Sequence, residues 1–238
     1  MELHLVNAVR LPLFLSSSQV RRFAPVVLFL FCSVSSAIEI EELSVTEVDG
    51  EYTLRIASVI DAPADYVHDV ITDYRHVYRI NPTITDIEIL PSDDDGVVRM
   101  RNVSEHWVGP FRFKIDWAGE IEEPGNGYIK VDTIPGYGSF ESGSAIWEIR
   151  QVWGGTRVLH VSHLTPNFFI PPVIGDSIMI HKMEAVALET FKRIECHARI
   201  RLARDLENDP EYLQGLFNEQ QDCIQSPGEE ARIALEHQ

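Results

Sequence analysis

Hydrophobic and polar positions alternate along much of the chain between residues 51 and 164. The clearest run is 111–122, where Phe113, Ile115, Trp117 and Ile121 are separated by charged residues. A period of two predicts strands with one face in a core and one in water. Gly- and Pro-containing turns separate seven such runs, which are 51–61, 84–90, 97–108, 111–122, 128–134, 140–153 and 156–164.

The segment 174–204 has a helical pattern. It contains no proline, begins with the capping candidates Gly175, Asp176 and Ser177, and concentrates basic residues toward its end, as a long helix requires. Apolar and small residues recur there at three- and four-residue steps, namely Met179, Met183, Val186, Ala187, Thr190, Ile194 and Ala198. Two shorter helices are expected at 63–74 and 75–80.

The order of these elements predicts an α+β domain over residues 51–204. A seven-stranded antiparallel curved sheet with two short helices would hold the long C-terminal helix, because a single sheet around one helix buries the apolar stripe compactly. Residues 38–50 form an acidic lead-in in this interpretation. Residues 205–238 form a polar C-terminal extension, with a short helix expected at 211–221.

Residues 1–37 have the pattern of a secretory signal peptide. Arg10, Arg21 and Arg22 precede an apolar run that ends in small residues, and cleavage is expected near Ala37,. An uncleaved anchor is the alternative, although the run of about a dozen residues is short beside the roughly 20 that a membrane-spanning helix needs. We therefore expect a periplasmic or secreted protein.

The charge of the chain limits its partners. Removing the leader, with three arginines and one glutamate, changes the net charge from −17 to −19. Nucleic acid is excluded as a partner by such an acidic surface. An anionic membrane is also disfavoured, unless a local apolar surface makes a transient contact.

Three cysteines are present, and Cys32 lies within the leader. Cys196 and Cys223 remain, and an oxidising compartment permits a disulfide between the long helix and the extension. Two unrelated free thiols are the alternative. The sequence alone does not decide between them.

The order of elements and several short segments resemble the helix-grip superfamily. That group includes START lipid-transfer domains, the birch-pollen allergen type, polyketide cyclases and coenzyme Q-binding proteins. The segments that carry the resemblance are 57–63, 70–74, Asn81-Pro82, 143–147, 155–158 and the terminal helix. The resemblance implies a hydrophobic cavity between sheet and helix, a role as binder or carrier and, for a minority of members, catalysis.

Strand parity identifies the side chains that would line this cavity. Pockets are mostly apolar with a few placed polar groups, and the candidates for ligand contact are Asn102, Ser104, His106, Trp117, Trp147, His160, Ser162, Met179, Met183 and Val186. The alternative is that the polar members are buried groups satisfied by one another. A further apolar set could form the mouth of the cavity or plug the end of the core, and consists of Trp107, Tyr137, Phe168, Phe169 and Ile170.

No sequence motif identifies a catalytic, metal or cofactor site. The spacing of His160 and His163 sends them to opposite faces of a strand, so no metal is expected, and no dinucleotide motif or other cofactor site is recognised. General acid–base chemistry by His106 or His160, in a cyclase- or hydrolase-type enzyme, is the alternative function. We expect a monomeric, exported carrier of a hydrophobic, lipid-like ligand.

Overall fold

A computed structural model describes residues 38–108, 111–170 and 175–205. Its elements in chain order are β1 (Glu39–Val48), β2 (Glu51–Ile60), α1 (Ala64–Ile71), a 3-10 helix (Tyr74–Arg79), β3 (Ile84–Leu90), β4 (Val97–Val108), β5 (Phe111–Gly125), β6 (Tyr128–Gly138), β7 (Phe140–Val152), β8 (Gly155–Pro166) and α2 (Gly175–Asp205). The predicted leader, and the extension beyond Asp205, lie outside the described residues.

All eight strands form one antiparallel sheet in the order β1-β2-β8-β7-β6-β5-β4-β3. The α+β architecture and the long C-terminal helix are as predicted, but within the described residues the sheet has eight strands rather than seven. The predicted acidic lead-in contains β1, which pairs along β2. Arg55 and Arg157 stabilise this acidic strand, because their guanidinium groups lie 2.8 Å and 2.7 Å from the carboxylates of Glu42 and Glu41.

The packed core lies where α1 and the second half of α2 cover the sheet. Ile56 and Ile60 of β2 and Val67 of α1 are completely buried there, together with Ile194 of α2. Phe191 joins them at the centre of the helix stripe. This burial of branched and aromatic side chains is the main stabilising contribution at that end of the domain.

The first half of α2 is packed differently. Its first buried residue is Ala187, twelve positions after the helix begins at Gly175. Met179, Met183 and Val186 keep part of their surface accessible. The second half of α2 is therefore closely packed, whereas the apolar side chains of its first half stay partly accessible.

Candidate functional site

The candidate site is the inner face of the sheet, the side that is turned toward α2. Trp147 defines this face, because its ring stacks on Phe191 of α2 with centroids 5.8 Å apart and an interplanar angle of 17°. Residues that pair directly across strands share a face. The pairings Trp147–His160, Ala145–Ser162 and Asn102–Trp117 follow that rule.

The register brings the predicted strand residues onto this face. Neighbouring pairs continue the alternation, which puts Asn102, Ser104, His106, Trp117, Trp147, His160 and Ser162 on the side of α2. Met179, Met183 and Val186 are on the first half of the helix. The role of all these strand and helix residues as ligand contacts stays a prediction.

His160 lies deep in this site. Its ring is 4.1 Å from that of Trp147, centroid to centroid. Burial lowers the pKa of His160 to about 4, although contact with the backbone of Ile146 acts in the opposite direction. Its Nδ1 atom is buried without a hydrogen-bond partner. The imidazole is therefore neutral at physiological pH, because charging it would leave an unpaired cation in an apolar environment.

His106 stands nearer the open end. Its Nε2 atom and the Ser104 hydroxyl are within hydrogen-bond distance at 3.0 Å. Burial, followed by the charge of Lys182, lowers the pKa of His106. Lys182 belongs to α2, so charges on the helix and burial act on His106 in the same direction.

Trp117 and Thr133 make a fixed polar contact on the same face. The indole Nε1 donates to the threonine hydroxyl over 3.0 Å. Gly119 leaves room for the indole, because a Cβ atom at this position would lie 2.2 Å from the Trp117 ring. The orientation of Trp117 thus depends on two neighbours that strand alternation alone does not identify as a unit.

Both walls at the open end are apolar and incompletely covered. Phe113, opposite His106 on β5, is 49% exposed, and Ile115 and Trp117 are half-buried. On the helix side Met179, Met183 and Val186 are also half-buried. Small-molecule sites are lined mostly by apolar side chains, and these partly accessible residues on the sheet and on α2 supply such a lining.

One hydrogen bond anchors the beginning of α2 to the sheet. The hydroxyl of Tyr52 donates to a carboxylate oxygen of Asp176 at 2.5 Å. Tyr52 is buried, and burial together with that hydrogen bond raises its pKa above the usual value. The sequence identified Asp176 as a capping candidate, but no pattern identified its partner.

The predicted mouth residues are placed at the end of the sheet that is nearest the start of α2. Phe169 is 82% exposed, and Phe168 packs edge-on against Phe140 with centroids 6.5 Å apart. The Asn167 side chain donates to the Gly138 carbonyl at 2.9 Å, which joins this segment to the turn that holds Tyr137. Trp107 is exposed near the end of β4, and Ile170 is half-buried.

Tyr137 also borders a second hollow, on the outer face of the sheet. This polar groove of about 390 Å³ is lined by Glu88, Leu90, Arg101, Asp116, Gly136, Tyr137 and Gly138. Its floor is a two-pronged ion pair in which Arg101 Nε and Nη2 lie 2.9 Å and 2.6 Å from the Asp116 carboxylate oxygens. The groove is separate from the inner face.

Cys196 is buried on α2 and takes part in a disulfide. The other cysteines, Cys32 and Cys223, lie outside the described residues, so the pairing of Cys196 with Cys223 stays a prediction. Within the described ranges, no group of three or more histidine, cysteine or acidic side chains is arranged to hold a metal ion. No helix in those same ranges combines the length and apolar character that crossing a membrane requires.

No family model and no curated protein matches this chain. Solved structures do match it. The ZhuI aromatase/cyclase from Streptomyces sp. R1128 superposes with a TM-score of 0.54 at 16% identity, over 64% of this chain and 96% of that chain. The protein TTHA0849 from Thermus thermophilus superposes with a TM-score of 0.51 at 20% identity, over 63% of this chain and 99% of that one.

A STAR-related lipid transfer protein from Xanthomonas axonopodis also matches, with 18% identity over 66% of this chain and 98% of that chain. Its TM-score of 0.48 is too low to carry an inference. The first two likenesses, with the sheet and helix described above, show that this domain has the helix-grip fold. The expected fold is therefore confirmed, while function has to be argued from the site.

Proposed function

We propose that this protein binds and carries a hydrophobic, lipid-like ligand between the sheet and the first half of α2. The observation that carries the proposal is the unequal packing of the helix. Apolar side chains fill the space under its second half, but those under its first half leave both walls accessible. Exposed apolar walls are costly in water, and a hydrophobic ligand would remove that cost.

Access to the site is proposed through the aromatic end of the domain. Phe169 and Trp107 are exposed beside the start of α2, and Phe113 is half exposed just inside. Exposed aromatic residues favour insertion into a lipid surface, since insertion depends on apolar area more than on net charge. A transient membrane contact of this kind, in a protein exported by its leader, would deliver the ligand to the cavity.

A cyclase- or hydrolase-type enzyme is the second candidate, and the hydrogen bond between His106 and Ser104 is the observation that favours it. A general base works best when its pKa is near the operating pH. The pKa of His160, about 4, makes that residue a weak base at neutral pH. Binding is therefore the better-supported function.

Native mass spectrometry of the full chain, expressed with its own leader, tests the proposal. We expect a protein that retains one lipid-like molecule, which organic extraction would identify. A protein that is empty and takes up no lipid, sterol or quinone on incubation would contradict the carrier function. If the protein turns over a substrate and the His106→Ala variant loses this activity, the result would favour the enzyme function instead.

A further inference from the structure

The inner face of the sheet has an unusual charge distribution for so acidic a chain. Across the central positions of all eight strands, from Ile40 on β1 to Leu164 on β8, the pairing register turns no aspartate, glutamate, lysine or arginine of the described residues toward α2. The polar side chains on this face are hydroxyls, an amide, two indoles and two imidazoles. Every one of them hydrogen-bonds without carrying a formal charge, provided the imidazoles are neutral.

Both imidazoles are neutral at physiological pH. Burial lowers the pKa of His160 to about 4 and lowers the pKa of His106 as well. Neither residue lies within 4 Å of a carboxylate in the described structure, unlike His68, His76 and His163 on the outside of the domain. The inner histidines therefore offer no positive charge to an acidic ligand.

Several charged groups of the described residues lie near the ends of this face. Glu47, beside the β1–β2 turn, accepts a hydrogen bond from the Gly50 backbone, and Asp176 accepts one from Tyr52. Lys182 is the basic group whose charge reaches the inner face, at His106. At the opposite end Glu123 is engaged by Tyr74 and His68. Two acids and one base near the mouth give an anionic ligand no net attraction there.

We infer that the ligand is electrically neutral, an apolar molecule with uncharged hydrogen-bonding groups such as hydroxyl, carbonyl or ester. This inference rests on the proposed function and narrows its ligand class. A carboxylate or phosphate drawn into this site would lose water without meeting a counter-charge, and such a transfer is strongly unfavourable. An alcohol or ketone would instead meet the Asn102 amide and the Ser104 and Ser162 hydroxyls.

Matched ligands that differ only in charge test the inference on the full chain. The probes are a long-chain alcohol, the fatty acid of the same chain length and its methyl ester, with a sterol and its sulfate as a second pair. Binding is measured at about pH 7.5 by isothermal titration or by displacement of a neutral fluorescent lipid. Because the anion lacks a partner, we expect each neutral ligand to bind at least about tenfold more tightly than its charged counterpart.

The outcomes separate this inference from the proposal beneath it. Equal or tighter binding of the fatty acid and the sterol sulfate would overturn the inference and leave the carrier function intact. Failure of every probe, with no ligand retained from the cell, would overturn both.

A variant provides the converse test. Asn102→Arg introduces a permanent cation on the inner face, and Arg99→Asn, on the outer face of the same strand, is the control for altered charge. The Asn102 variant should shift the preference toward the fatty acid by about tenfold, since a buried carboxylate would gain a partner. An unchanged ratio in the folded variant would contradict the inference. The comparison of neutral and charged ligands on the unaltered chain does not depend on this variant folding.

Discussion

His160 combines a buried position with an unpaired ring nitrogen. An unsatisfied buried nitrogen costs roughly 1–3 kcal/mol, and here the ring lies beside Trp147, which stacks on Phe191. The sequence predicted that this histidine faces inward, because Val158 and His160 share strand parity. It could not predict the low pKa, which depends on how tightly helix and sheet close around the ring.

The low pKa of His160 makes folding stability depend on pH. In the unfolded chain the imidazole is protonated below about pH 6.5, whereas in the native protein it stays neutral until the pH nears 4. The unfolded state therefore binds more protons in this window, and the free energy of unfolding falls as the pH falls through it. At pH 5 the loss from one such histidine is about 2 kcal/mol. His160→Phe should remove that share of the pH dependence.

Urea denaturation at about pH 7.5 and pH 5 measures this effect. His163→Phe is the matched control, because His163 is on the outer side of the same strand, beside Thr53 and Glu51. The control should keep the pH dependence of the unaltered chain. If the free energy of unfolding changed equally between the two pH values in the unaltered chain and both variants, His160 would not be held neutral by burial.

At the scale of elements, β1 is the part that the sequence patterns failed to identify. A register shift between Ile40 and Glu42 interrupts the alternation of apolar residues, and the many acids resemble a solvated linker. Arg55 and Arg157 neutralise the charges of Glu42 and Glu41. These arginines are distant in sequence from β1, so the ion pairs are recognised only in the folded structure. The turn at Asp49-Gly50, with φ of 52° and 86°, was the available signal, since Asp-Gly is typical of tight hairpins,.

The first half of α2 depends on its anchor at Tyr52. Tyr52→Phe keeps the ring but removes the hydrogen bond to Asp176, and should lower the free energy of unfolding by about 1.5 kcal/mol,. Amide hydrogen exchange should accelerate in the first turns of α2 and stay slow around Ile194. Tyr74→Phe, which removes a hydrogen bond to Glu123 far from the helix start, is the control. Uniform acceleration along α2, or none, would contradict a local anchor.

At the scale of the whole molecule, exposed aromatic residues occur at both ends of the sheet. Phe169 lies at the mouth, whereas Trp153 is fully exposed on the β7–β8 turn at the other end. If the mouth contacts membranes, Phe169→Asp should slow lipid uptake from phosphatidylcholine vesicles about three- to tenfold, because a charge opposes insertion. Trp153→Asp should have no effect. Equal slowing by both substitutions would indicate a general change in the protein instead.

The predictability of the fold and that of the site differ for a physical reason. Strand alternation and helical spacing follow from local geometry, so the sheet, α2 and the inward side of Asn102, Ser104 and His106 were predictable. The unequal packing of α2 is not local, since it depends on how closely each part of the helix approaches the sheet. Periodicity assigned Met183 and Ala187 to one stripe, although Ala187 is buried and Met183 is only partly buried.

The central claim is that a ligand occupies the space beneath the first half of α2, and adjacent tryptophan substitutions test it most directly. Val186 is half-buried on the side of the helix near Met183, while Ala185 is exposed. We predict that Val186→Trp fills the space and reduces uptake of a neutral fluorescent lipid at least about tenfold, whereas Ala185→Trp binds as the unaltered chain does. Undiminished uptake by a folded Val186→Trp protein would contradict the claim.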